Sequence, residues 1–263
     1  MISILLWEIR RRKWFTFWWT FGISSVVALT ILPYVSVKEQ ADELTESLGE
    51  LSSSAGSFLG GADLFSPVGY ISSQIYYITL PLLLIIMVLA LASSLMRDET
   101  DATIELTLAR PVSRTSILLG KLLAGLMIYS TVGIISYIIA YICAEVTALS
   151  INSNHLFVTH FICYIFAASF GLLAFMLLAA SSRTRRLAMP VTILLSFGGY
   201  LITSLAAYSS VFDTIAKATP YHYYNTTKLL TGEIQQGLVI YLALAIMISF
   251  GFAFIGYNRR DIG

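Results

Sequence analysis

The chain has 263 residues, of which 57% are hydrophobic and 12% charged, with a formal net charge of +1 and a mean hydropathy of +0.79. A soluble domain carries about 25% charged residues, so this chain has too little polar side chain to cover a water-facing surface, and too much apolar area to stay disordered. No basic block stands clear of the apolar runs to serve nucleic acid, and an integral membrane protein remains.

At the N-terminus, Ile2, Leu5, Leu6 and Ile9 recur at i, i+3, i+4 and i+7, with Ser3, Glu8 and Arg10 elsewhere on the wheel. This predicts a surface helix over 1–13 that lies on the cytoplasmic leaflet, the alternative being an extension of the first span. Crossing about 30 Å of hydrocarbon takes about 20 helical residues. Six stretches free of Asp, Glu, Lys and Arg are long enough: 14–37, 64–96, 122–144, 146–182, 187–212 and 234–258. They lack strand-like alternation, so they read as helices near 15–37, 74–96, 117–144, 157–180, 187–208 and 238–257 rather than as a barrel. The fold class is an all-α integral membrane protein: a single domain over 1–263 with six transmembrane helices.

The first stretch is longer than a signal h-region and has no small-residue cleavage site before Pro33, which makes it an uncleaved anchor. Trp7, Trp14, Trp18 and Trp19 mark its headgroup edge. An outer loop over 38–73 follows. It carries Glu39, Asp42, Glu43, Glu46 and Glu50, then an amphipathic pattern at Ala41, Leu44, Leu48 and Leu51, then a Ser/Gly-rich run. The cytoplasmic loop over 97–116 reads differently. From Asp98 to Leu108 the sequence predicts a short helix whose acidic first turn suits the positive dipole end, with Pro111 as its stop. Ser113 is placed to cap the third span, and Lys121 to snorkel toward the interface. Cys143 and Cys163 fall inside apolar runs, as small packed hydrophobes. His155 and His160 begin the fourth span, where a hydrogen-bonded or solvated histidine is the default. The loop over 209–237 contains Pro220, Tyr221, His222, Tyr223 and Tyr224, read either as an interface belt or as an extracellular gate.

Basic residues give the orientation. Thirteen lie on the face of the N-terminus (Arg10, Arg11, Arg12, Lys13, Arg97, Arg110, Arg114, Lys121, Arg183, Arg185, Arg186, Arg259 and Arg260), and three lie opposite (Lys38, Lys217 and Lys228). That split puts both termini in the cytoplasm of a multi-pass cell-membrane protein. No span carries an acid or base near its middle, which disfavours a proton-coupled carrier. No HExxH, GxSxG or GxxxxGK[ST] occurs, so no catalytic residue, metal site or cofactor site is assigned to this chain.

The stretch from Ser66-Pro67-Val68-Gly69-Tyr70 to Lys121 resembles the permease subunits of ABC-2 type transporters. The likeness is closest over Asp98 to Glu105, Arg110-Pro111-Val112-Ser113-Arg114 and Gly120-Lys121. Weaker matches are Thr219-Pro220-Tyr221, Gly232-Glu233 and Asn258 to Ile262. Ala102 departs from the pattern, which commonly has glycine there. The resemblance implies six spans in the type V ABC exporter arrangement and a coupling helix in the first cytoplasmic loop. It also implies partners: two copies of a separate ABC ATPase that binds ATP and Mg, a second permease subunit in a homodimer or heterodimer, and the surrounding lipid. Docking on the ATPase then falls to Glu99, Thr103, Glu105, Arg110, Pro111, Ser113, Arg114 and Lys121, with Ile104, Leu106 and Leu108 as apolar contacts. The function implied is an ATP-driven export permease. The competing reading is a self-contained ion-coupled carrier or a membrane scaffold. Gly22, Gly171, Gly198, Gly199 and Gly251 mark close helix contacts, either within one bundle or between two permeases.

Overall fold

The computed structural model describes residues 2–39, 66–97 and 114–259, which among themselves form helices and no strand. α1 (Ile2–Arg11) is joined through Arg12 to α2 (Lys13–Ile31), and a turn at Leu32-Pro33 leads to the short α3 (Tyr34–Glu39). The proline has no N–H to continue the ladder, so the helix is interrupted there within the apolar stretch Lys13–Lys38. The remaining long helices are α4 (Pro67–Leu95), α5 (Arg114–Val146), α6 (Ser153–Ala180) and α7 (182–205). Three short helices follow, α8 (Ser210–Ala216), α9 (Pro220–Tyr223) and α10 (Thr226–Thr231), and then α11 (Gln236–Arg259).

Among the described residues five helices are long and apolar enough to cross a membrane: Lys13–Lys38, Pro67–Leu95, Thr115–Val146, Ser153–Ala180 and Thr184–Leu205. The apolar part of α11 among the described residues, Gln236–Gly251, is shorter than these. Two segments between the expected spans contain helix. Residues 67–73 are helical, because Ser66 caps the chain by accepting the Gly69 N–H at 3.0 Å and Pro67 takes the first helical position. Most of 209–237 is helical too, for reasons that belong to the site below. Residues 40–65, with the amphipathic pattern expected at Ala41 to Leu51, lie outside the described residues.

α6 is the centre of the bundle. Its apolar window is 67% buried, against 22%, 33% and 28% for those of α2, α5 and α7, so the outer helices keep broad faces toward lipid or a partner. α6 packs on α4, α11 and α7, whereas α5 leans on α2 and α1. Between apolar helices in lipid the attraction is van der Waals packing and hydrogen bonding, which favours small residues at contacts. A Cβ built on Gly171 would stand 2.5 Å from the Val88 side chain, so only glycine lets α6 meet α4 here. A Cβ on Gly199 would meet Tyr221 and Thr219, whereas Gly22 and Gly251 have nothing within 4 Å. Gly171 and Gly199 therefore mark contacts inside one bundle.

α4 and α7 both contain a wide-turn π segment, Ser72–Thr79 and Leu194–Gly198. The first runs directly into Leu80-Pro81. A proline removes one ladder bond and crowds the preceding turn, and the widened turn accommodates it. Cys143 and Cys163 are buried free thiols, as expected.

Candidate functional site

Among the described residues, three groups of polar side chains set into the bundle stand out. The first is on the face of the N-terminus, at the root of the expected coupling loop. Arg12 stands at the corner between α1 and α2 and is 4% exposed, and Glu8, one turn earlier, is fully buried. The Arg12 guanidinium pairs with the Glu8 carboxylate, donates from Nε to the Ser94 hydroxyl at 2.9 Å and donates again to the Ser94 carbonyl. One Glu8 oxygen, Oε1, is buried without a hydrogen-bond partner. Desolvating an ion pair costs several kcal/mol per ion, so such a pair persists where further hydrogen bonds hold it. Ser94 sits near the end of α4, three residues before Arg97, so this pair ties the surface helix to the point where the loop begins.

Glu8 corrects the helical wheel of the sequence. The wheel placed Ile2, Leu5, Leu6 and Ile9 toward apolar surroundings and Glu8 away from them. In the fold Ile2 and Leu6 are exposed, as lipid-facing residues of that stripe are expected to be, Ile9 packs against the core, and Glu8 departs from the wheel by being fully enclosed. The signal that finds it is the i, i+4 spacing from Glu8 to Arg12. Of the expected coupling residues, Lys121 is buried at 3% exposure on α5, and Arg114 opens that helix. Glu99, Thr103, Ile104, Glu105, Leu106, Leu108, Arg110, Pro111 and Ser113 lie outside the described residues.

The second group closes the opposite face. Pro220 at the first helical position starts α9, and the Asn225 side chain caps α10 by accepting the Lys228 N–H at 3.0 Å. Gly232 ends α10 in the left-handed conformation with φ 94°, under the His155 ring. These local stops fold 210–231 back onto the bundle. Tyr221 and Tyr224 are each 1% exposed, with Tyr224 stacked on Phe166 at 4.4 Å and Tyr221 edge-on to it at 4.9 Å. Neither is a lipid-facing belt residue, which corrects that reading. The Tyr224 hydroxyl donates to the Tyr76 carbonyl at 2.9 Å, a carbonyl within the π segment of α4. The Tyr221 hydroxyl is buried without a partner. Burial raises both phenols above their usual range, so both are neutral. Pro220 is buried, Tyr223 half-buried and His222 exposed. The cap is fastened to α4 by the Ser72 hydroxyl, 2.5 Å from that of Thr226 and 3.0 Å from that of Thr227.

The third group is one that sequence reading leaves scattered. His160 Nδ1 is 3.1 Å from the Tyr76 hydroxyl and Nε2 is 3.1 Å from the Ser136 hydroxyl, which is itself 2.7 Å from the Tyr164 hydroxyl. The Tyr129 hydroxyl donates to the Tyr164 carbonyl at 2.8 Å. A neutral imidazole has one donor and one acceptor nitrogen, and both are used here. This is the hydrogen-bonded histidine expected of His160. The chain joins α4, α5 and α6 through three neutral side-chain types and holds no carboxylate or cation. It is a cross-brace that ties the three helices together through hydrogen bonds.

A family model described as ABC-2 family transporter protein matches residues 8–262, almost the whole length. No curated protein and no solved structure matches the chain.

Proposed function

Because the chain belongs to the ABC-2 transporter family, we propose that it is the transmembrane permease subunit of an ABC exporter, driven by a separate ATPase. The observation that carries this reading is the family match from Glu8 onward, which takes in the end of α1, the loop root and the cap in one unit. In the proposed complex α11 completes a sixth crossing, both termini are cytoplasmic, and two such permeases work with two ATPases that bind ATP and Mg. The loop over 97–116 is the docking element, with Glu99, Glu105, Arg110 and Arg114 as polar contacts and Ile104, Leu106 and Leu108 as apolar ones.

The geometry around that loop supports the reading. ATP binding shifts a bundle only if the bundle makes different contacts in its two states. Movement of the loop pulls on its two roots, the end of α4 at Ser94 and the start of α5. The first root is fixed to the surface helix by Arg12, and α1 itself lies against α5. Load on the loop thus reaches three helices together. At the far end, Tyr224 and Thr226 hang the cap on the π segment of the same α4, so one helix joins the docking loop to the proposed gate of Pro220, Tyr221, His222, Tyr223 and Tyr224.

Co-purification from the native membrane tests the proposal. Wild-type chain should hold a cytosolic ATPase, and a Glu99→Ala/Arg114→Ala variant of equal abundance should lose it. Vesicles containing the complex should accumulate substrate with ATP but not with a non-hydrolysable analogue. Recovery of no ATPase, with transport that survives ATP depletion, would falsify it in favour of a self-contained carrier.

A further inference from the structure

The widened turn of α4 lies where the backbone ladder has two ways to close. The Leu80 N–H closes the last wide turn on the Ile75 carbonyl, five residues back. In a straight α-helix it closes on Tyr76 instead. The next residue, Pro81, has no N–H, so each register leaves one carbonyl without its ladder donor. In the wide register that carbonyl is Tyr76, five residues before the proline, and in the straight one it is Tyr77, four before it. The donor missing at Tyr76 comes from outside the helix: the Tyr224 hydroxyl of the cap reaches this carbonyl at 2.9 Å, with both residues buried. A slip from the wide to the straight register turns the helix outward of Leu80 by one residue, about 100° and 1.5 Å, so that each residue takes the place of the one before it. Ser73 then arrives where Ser72 now meets the Thr226 and Thr227 hydroxyls, so the Ser72-Ser73 pair offers the cap a hydroxyl in both registers. The inner end of α4 is held by Arg12 on Ser94, which leaves the outer half to move.

We infer that α4 is a one-residue register switch, latched in its wide form by the Tyr224 hydroxyl of the cap. A buried carbonyl that loses its donor is costly, so withdrawal of Tyr224 favours the register in which the Leu80 N–H serves Tyr76. Conversely, a turn of α4 into the straight register carries the Tyr76 carbonyl away from Tyr224 and frees that hydroxyl. Movement of the cap and rotation of the outer half of α4 are therefore two ends of one equilibrium. The same slip takes Tyr76 out of its place beside His160, so the brace to α5 and α6 senses the register as well. The switch needs no ATPase to exist. Only its use as the step that frees the proposed gate rests on the permease reading above.

Two adjacent positions report the register. Gln74 is exposed and Ile75 is 2% exposed. In the straight register Ile75 takes the exposed place of Gln74, and Gln74 takes the buried place of Ser73. The test puts the full chain, without any ATPase, into phospholipid nanodiscs and follows the reaction of Gln74→Cys and Ile75→Cys with a small methanethiosulfonate by mass spectrometry, which separates these sites from the buried Cys143 and Cys163. With no other change, Gln74→Cys should react and Ile75→Cys should be slow. Pro81→Ala removes the ring that crowds the straight ladder and restores an N–H, so Ile75→Cys should speed up by about tenfold or more while Gln74→Cys slows. Tyr224→Phe removes one hydrogen bond from the wide register and should speed Ile75→Cys by about fivefold. Added to Pro81→Ala, it should change little, because the restored N–H at position 81 then serves the Tyr76 carbonyl. Gln74→Cys and Ile75→Cys speeding up together in either variant overturns the inference, since that is a loosened cap and not a turned helix. So does Pro81→Ala leaving both rates unchanged. With no ATPase present, the result stands or falls apart from the permease reading.

Discussion

Gly232 shows how closely single residues fix the cap. Its φ of 94° is costly for any residue with a side chain, and a Cβ there would stand 2.7 Å from the His155 ring. Gly232→Ala should destabilise the protein by about 1–3 kcal/mol, read as a lower unfolding temperature in detergent. Adding His155→Ala should restore only part of the loss, because the clash goes and the backbone strain stays. The two buried tyrosines of the cap should part company. Tyr224→Phe removes the donor to the Tyr76 carbonyl and should cost about 1 kcal/mol. Tyr221→Phe removes a hydroxyl that has no partner, and should be neutral or stabilising by the same assay. The tyrosines were legible in the sequence as an aromatic cluster on an outer loop. Their burial was not, because it depends on Phe166, more than fifty positions away.

Among the elements, α1 departs from its sequence pattern at one residue, Glu8. An isolated helix with this periodicity would lie with Ile2 and Leu6 in lipid and Glu8 in water. In the fold Glu8 is instead enclosed in an ion pair with Arg12, whose guanidinium also donates to Ser94 at the end of α4. Arg12→Ala leaves the Glu8 carboxylate enclosed and uncompensated, and should cost about 3–5 kcal/mol. Glu8→Leu/Arg12→Leu should cost clearly less than Arg12→Ala alone. Thermal unfolding of the three proteins in one detergent decides this, and equal losses in both variants would show that the pairing is not what matters. The long helices were legible to within a few residues at most ends, because a run of twenty apolar residues in lipid has no other way to pair its backbone. The π segments were not. They arise where a proline or a neighbouring polar group competes for the ladder, and Ser72 finds that neighbour only in Thr226.

For the whole molecule, the distribution of charge makes a prediction about sidedness. A cysteine placed at Ser3 should react with a membrane-impermeant maleimide only after the cells are permeabilised. One placed at Lys217 should react in intact cells. Both positions are exposed, and the native Cys143 and Cys163 are buried and should stay silent. Reaction of both engineered cysteines from the same side would overturn a topology in which α2, α4, α5, α6 and α7 each cross once. What the amino-acid sequence determined by itself was the class of the protein, the positions of its long helices and its family. Each of these follows from local quantities: the length of an apolar run, the side on which basic residues fall, and a motif read along the chain. The tertiary structure alone decided which helix is central, that Glu8 is enclosed, that the 209–237 segment folds in as a cap, and that α5 and α6 stand apart. Those depend on contacts between residues distant in sequence. Lipid and protein are almost equally apolar, so hydrophobicity draws a helix into the membrane without saying which face meets a neighbour. That choice falls to close packing at glycines such as Gly171 and to a few hydrogen bonds between helices.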